Sequence, residues 1–138
     1  MLLQPPPEGA SGSAAGPART LIVEDDYTSR TVLARLLRAH GLETYSASTV
    51  ADAFSQLEEL CGAQGDRPTY LILDLMLPDG LGTAVLRHIR EERLPVHVAV
   101  ATATNDPRLL SDVCALGPEA VFQKPLDLPK LMQWLNPA

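Results

Sequence analysis

Five short extended runs recur along the chain, each followed by a stretch with helical periodicity. Four of them end in a polar residue. Thr20-Leu21-Ile22-Val23 runs into Glu24-Asp25-Asp26, and Tyr70-Leu71-Ile72-Leu73 into Asp74. Val96 to Ala101 leads to Thr102, and Ala120-Val121-Phe122-Gln123 to Lys124. The fifth run, Glu43 to Ala47, is second in order and more polar, with Thr and Tyr favouring extension. A run that is apolar at every position suits a strand covered on both faces. Strict strand–helix alternation implies a parallel sheet between two layers of helices, joined by right-handed crossovers.

The stretches between the runs carry helix signals. Asp26 can cap a helix in which Val32, Leu33, Leu36 and Leu37 fall at helical spacing, and Gly41 ends it. Ser48 or Thr49 opens a second helix running to about Leu60, followed by a loop from Cys61 to Pro68. Pro78-Asp79-Gly80 is turn chemistry, and a third helix spans roughly Thr83 to Arg90. Pro107 begins a fourth, which stops before Gly117. Asp127 caps a last helix with Leu128, Leu131, Met132 and Leu135 on one stripe, and Asn136-Pro137 ends it. Residues 1–18, rich in Pro, Gly, Ala and Ser, read as a flexible tail, and residues 19–138 as one domain.

Composition narrows the function. A chain of 138 residues, 46% apolar, fits one domain with a real core; with aromatics at 4% that core must be aliphatic. The net charge of −6 leaves no basic footprint for nucleic acid, and no Lys/Arg run suggests an anionic membrane. No apolar stretch reaches membrane-spanning length, and the Met1-Leu2-Leu3 start lacks a basic region and a long apolar core, so a cytoplasmic protein is expected. Cys61 and Cys114 have no zinc-type spacing and read as small apolar filler rather than a disulfide. His40, His88 and His97 are scattered and read as structural; Trp134 covers the core edge.

In open parallel sheets, ligands bind outside the carboxyl ends of the strands. The alternation therefore gathers Glu24, Asp25, Asp26, Asp74, Thr102 and Lys124 at one end. Carboxylates brought together repel and raise one another's pKa, and a hard divalent cation relieves this. With oxygen ligands only, magnesium is the natural choice. Either Glu24-Asp25 or Asp25-Asp26 could be the working pair. A cation, the Lys124 ammonium and a threonine hydroxyl make a phosphoryl site, since phosphoryl transfer needs mostly positioning and charge neutralisation. A carboxylate there can serve as nucleophile. Thr102 is the expected hydroxyl, with Thr104 its rival two residues on.

These residues carry a resemblance. Thr20 to Asp26, Leu71-Ile72-Leu73-Asp74-Leu75-Met76-Leu77-Pro78-Asp79-Gly80-Leu81-Gly82, Thr102-Ala103 and Lys124-Pro125 resemble the receiver domain of two-component response regulators, over residues 19–135. The resemblance implies a flavodoxin-like, doubly wound five-stranded parallel sheet in order 2-1-3-4-5, with a cis bond at Lys124-Pro125. It implies that Asp74 accepts a phosphoryl group from a histidine kinase, a histidine phosphotransfer protein or a small acyl phosphate. Asp25 would bind Mg2+ directly, Glu24 through a water, and Met76 through its backbone carbonyl, beside Asp74. It leaves Asp26 as a helix cap. Lys124 would pair with a phosphoryl oxygen, and Thr102 would turn toward it to start a conformational change. The output would be a downstream protein target or a linked output domain. No catalysis is expected beyond the domain's own phosphorylation and dephosphorylation.

The chain also departs from that pattern. Val121 stands three residues before the lysine, where receivers usually carry Tyr or Phe; Phe122, one position on, faces the other way. Two extra residues lie between Pro95 and Thr102, Pro118 follows Gly117, and the last helix is short. The chain ends just past that helix, so it is either a stand-alone receiver or a piece of a larger regulator or hybrid kinase. Three other readings fit the chain less well. An aspartyl phosphatase or mutase would want an acid where Met76 stands. A degenerate receiver, acting as an interaction module without phosphorylation, has only Val121 in its favour. A flavin-binding domain would need a phosphate-gripping loop after the first strand.

Overall fold

The structure, a computed structural model, describes residues 18–62 and 68–135. The expected tail, all but Ala18, most of the loop after Cys61, and the Asn136-Pro137 stop lie outside the described residues. The elements in chain order are β1 (Arg19–Val23), α1 (Tyr27–Ala39), β2 (Glu43–Ala47), α2 (Val50–Gly62), β3 (Thr69–Leu73), β4 (Met76–Leu77) and β5 (Gly80–Leu81). They continue as α3 (Thr83–Glu91), β6 (Val96–Thr102), α4 (Pro107–Ala115), β7 (Ala120–Gln123) and α5 (Leu128–Leu135). Five strands form one parallel sheet in the order β2-β1-β3-β6-β7, the expected doubly wound arrangement. The short β4 and β5 pair separately as an antiparallel hairpin, where the sequence suggested only a turn. The Lys124–Pro125 peptide is cis.

Each strand sends alternate side chains to opposite layers. Leu21, Val23, Leu71, Leu73, Val98 and Val100 pack on one side against Leu57 of α2, Leu86 and Ile89 of α3 and Val113 of α4. Ile22, Ile72 and Ala101 face the other way, against Leu33 and Leu37 of α1 and Leu131 and Leu135 of α5. β1 is buried at all five positions because it is central and covered on both faces. Val32 departs from the expected stripe. The buried face of α1 is Leu33, Ala34 and Leu37, and Val32, one position round the helix, is 51% exposed. In α5, Leu131 and Leu135 are buried while Leu128 lies at the surface. Trp134 sits at the core edge, edge-on to Tyr70 at 5.3 Å.

Caps define the helix ends. The Asp26 side chain accepts the Ser29 N–H at 2.8 Å, and Gly41 leaves α1 with φ +86°, a conformation that costs glycine little. Arg19 is buried, and its guanidinium donates to the Leu60 carbonyl near the end of α2 and to Thr69 Oγ1, both at 2.9 Å. Cys61 and Cys114 are free thiols. Among the described residues, no helix is long and apolar enough to cross a membrane.

Candidate functional site

The order of the sheet reverses between β1 and β3: from β1 the chain goes outward to β2, then returns to the other side. Such a reversal opens a crevice at the carboxyl ends. Register does the rest. Val23 pairs with Leu73, so the next residues, Glu24 and Asp74, emerge side by side, and the Asp74 N–H donates to the Val23 carbonyl at 3.0 Å. Thr102 pairs with Gln123, which brings Lys124 in beside β6; its N–H donates to the Thr102 carbonyl at 2.8 Å.

Lys124 is the hub. Its ammonium donates to Glu24 Oε1 at 2.5 Å and to Asp74 Oδ2 at 3.2 Å. Both carboxylates are buried, at 8% exposure, whereas Asp25 is open to solvent. Oxygens of Glu24, Asp25 and Asp74 lie within 4.8 Å of one another. Three carboxylates gather around one ammonium that bonds to two of them, a formal excess of two negative charges among hard oxygen donors. That donor chemistry suits a small divalent cation and no soft metal.

Burial and charge pull the pKa values apart. Burial pushes Asp74 up; the Glu24 charge adds to this, and Lys124 only partly offsets it. Burial also pushes Glu24 up, but the Lys124 hydrogen bond, the Asp26 N–H and the Lys124 charge outweigh it and hold Glu24 below its ordinary value. Burial works to lower Lys124, yet its bonds to Glu24 and the charges of both acids raise it, so the ammonium persists. The crevice thus holds a firmly ionised Glu24, a fixed cation and a more basic Asp74.

Thr102 closes β6 fully buried. Its hydroxyl oxygen accepts the Thr104 N–H at 3.1 Å, so it is engaged with backbone rather than with the carboxylates. Thr104 in turn accepts the Asp106 N–H at 3.2 Å, away from the cluster. Met76 follows Asp74 into β4, and its N–H reaches Asp74 Oδ1 at 3.4 Å. Asp26 points away, as a cap. Val121 is 41% exposed on the edge strand, while Phe122 packs into the layer beneath α1 and α5.

Two contributors were not singled out from sequence. Arg30, in the first turn of α1, donates to the carbonyls of Glu24 at 2.8 Å and Asp25 at 3.4 Å, clamping the loop that presents both acids. Its position was a usable signal, because helical side chains lean toward the helix N-terminus. Gly82 is the other: a Cβ there would stand 2.2 Å from the Asp74 carbonyl oxygen, so the turn passes Asp74 at a distance only glycine allows.

Comparison with known proteins agrees with this geometry. The family model described as "Response regulator receiver domain" matches residues 20–136. The photosynthetic apparatus regulatory protein RegA of Rhodobacter capsulatus is 30% identical over 107 residues, 78% of this chain and 55% of RegA. The Regulator of RpoS of Escherichia coli is 33% identical over 114 residues, 82% of this chain and 32% of that protein. The chain therefore spans about half or less of these longer relatives. A crystal structure of a response regulator receiver protein from Pseudomonas putida superposes with a TM-score of 0.75 at 25% identity, covering 90% of this chain and 99% of that one. A family match that takes in all five strands of the sheet and the residues at their carboxyl ends settles membership: the chain belongs to the response regulator receiver domains.

Proposed function

We propose that this receiver accepts a phosphoryl group on Asp74 with magnesium bound at the acidic crevice, and that Lys124 and Thr102 turn that event into a change of shape. The observation that carries the reading is the shared ammonium: Lys124 spans Glu24 and Asp74 while Asp25 adds a third carboxylate. Glu24, Asp25, Asp74 and the Met76 carbonyl are the groups that would hold the ion, Glu24 through a water. Magnesium, when bound, neutralises charge on the crevice and on the incoming phosphoryl oxygens.

The chain's own residues do the rest. An Asp74 carboxylate oxygen attacks phosphorus. The bond from phosphorus to the donor, a phosphohistidine nitrogen or an acyl oxygen, breaks, and its electron pair leaves with the donor. Burial keeps Asp74 basic enough to attack. Lys124, already tethered to Asp74, is placed to follow the charge onto the phosphoryl oxygens. Glu24 stays ionised and holds Lys124 in position between attacks. The new dianionic group offers an acceptor to the Thr102 hydroxyl, whose oxygen accepts the Thr104 N–H and whose O–H is left to donate. The population then shifts toward the form that a downstream target or output domain recognises. The donor partner is a histidine kinase or histidine phosphotransfer protein.

Incubation with acetyl phosphate, read by intact-protein mass spectrometry with and without magnesium, tests this. One labile phosphoryl adduct that requires magnesium is expected. An unmodified protein that nevertheless binds magnesium would leave a phosphorylation-independent interaction module.

A further inference from the structure

The turn that carries Met76 is fastened to a helix it does not belong to. Pro78 and Asp79 form the tip of the β4–β5 hairpin. The Asp79 carboxylate accepts the Val50 N–H at 2.7 Å and the Ala51 N–H at 3.1 Å. These are the first two residues of α2, whose opening N–H groups have no partner within the helix. Local capping of α2 is incomplete: Thr49 Oγ1 accepts the Asp52 N–H at 3.0 Å, and Asp79 supplies the rest from 28 and 29 residues downstream. The two N–H groups hold Asp79 below its ordinary pKa, so it stays an acceptor at neutral pH.

The hairpin needs that anchor. Its ladder is two residue pairs, Met76–Leu81 and Leu77–Gly80, and Met76 and Leu81 are 57% and 43% exposed. A hairpin this short has no stability of its own in water. Its base is closed by the Gly82 N–H on the Leu75 carbonyl at 2.8 Å, and its tip by Asp79. The Met76 carbonyl lies between these two fixings.

We propose that Asp79 is a positioning residue for the metal site: by tying the hairpin tip to α2, it holds the Met76 carbonyl in place beside the carboxylates. This rests on the ligand role given to Met76 above. Divalent-cation affinity then depends on Asp79, although Asp79 touches no ion.

Magnesium titration calorimetry on the full chain, with hydrogen exchange of the β4–β5 amides in metal-free buffer, tests it on four proteins: wild type, Asp79→Ala, Asp79→Asn and Thr49→Ala. Asp79→Ala is expected to weaken magnesium binding roughly 10-fold and to speed exchange in the hairpin. Asp79→Asn keeps a carbonyl acceptor and should recover part of both. Thr49→Ala weakens the same helix end without touching the hairpin, and should leave magnesium affinity unchanged. If Asp79→Ala behaves like Thr49→Ala, destabilised but binding magnesium as wild type does, Asp79 is a helix cap only and the proposal fails. If wild type itself binds no magnesium, the metal reading of the site fails, and the proposal with it.

Discussion

At Asp74 the fold accepts a cost that the unphosphorylated, metal-free protein has no use for. Burial and the Glu24 charge raise its pKa, so its ionised form is less favourable folded than unfolded. A raised folded pKa contributes stability below the unfolded value, near 4 for an aspartate, and loses it as pH rises through the folded pKa. Asp74→Asn should therefore be more stable than wild type at neutral pH without magnesium, with the advantage vanishing below about pH 4. Urea denaturation across that range checks it; a less stable variant at neutral pH would show that Lys124 more than offsets the burial. Gly82 carries the opposite sort of constraint. Gly82→Ala forces the turn away from the Asp74 carbonyl and should cost about 1–3 kcal/mol. Its phosphorylation rate should fall with its stability, and a variant as stable as wild type would contradict the close approach.

Between elements, side chains that satisfy distant backbone groups do the joining. Arg90, in the last turn of α3, donates to the Leu116 carbonyl at 3.0 Å and the Gly117 carbonyl at 2.6 Å, closing the end of α4. It also pairs with Glu119 at 3.2 Å, and Glu119 Oε1 accepts the Val98 N–H of β6 at 2.7 Å. Burial raises the Glu119 pKa, but the Val98 N–H and Arg90 outweigh it and the net direction is down. A lowered folded pKa contributes stability above the unfolded value, lost as pH falls through the folded one. Both side chains are about a third exposed, so solvent screens the pair. Glu119→Gln should cost about 0.5 kcal/mol at pH 7 and nothing once pH falls below the folded pKa; a cost unchanged down to pH 3 would point to packing instead. These links explain what was legible in the chain. The five strands and the residues at their carboxyl ends declare themselves through apolar runs and their stops. Asp79 and Arg90 do not, because each acts on backbone that the fold alone brings near, whereas Arg30 is legible through its place in the first turn of α1. Val32 misled for another reason: helical spacing marks a stripe, and only packing decides its edges. The β4–β5 hairpin was hidden because two-residue strands have no periodicity to read.

Taken whole, the molecule is a sheet whose reversal of winding gathers acids from β1 and β3, closed by the lysine after β7. Metal binding should act on the entire fold, since an ion that binds only the folded chain stabilises it by mass action. Magnesium at ten times its Kd should add about 1.4 kcal/mol, seen as a higher melting temperature, and Asp25→Asn should lose most of that gain. Val121 is half-exposed on the edge strand, and the large side chain beside it, Phe122, packs on the opposite face against the layer of α1 and α5. Everything depends on which carboxylate takes the phosphoryl group. Borohydride reduces an aspartyl phosphate to homoserine, and peptide mass spectrometry then locates the residue. After treatment with acetyl phosphate and magnesium, homoserine is expected at position 74 alone, and nowhere in Asp74→Asn; reduction at Glu24 or Asp25, or at none of the three in protein shown to be labelled, would contradict it.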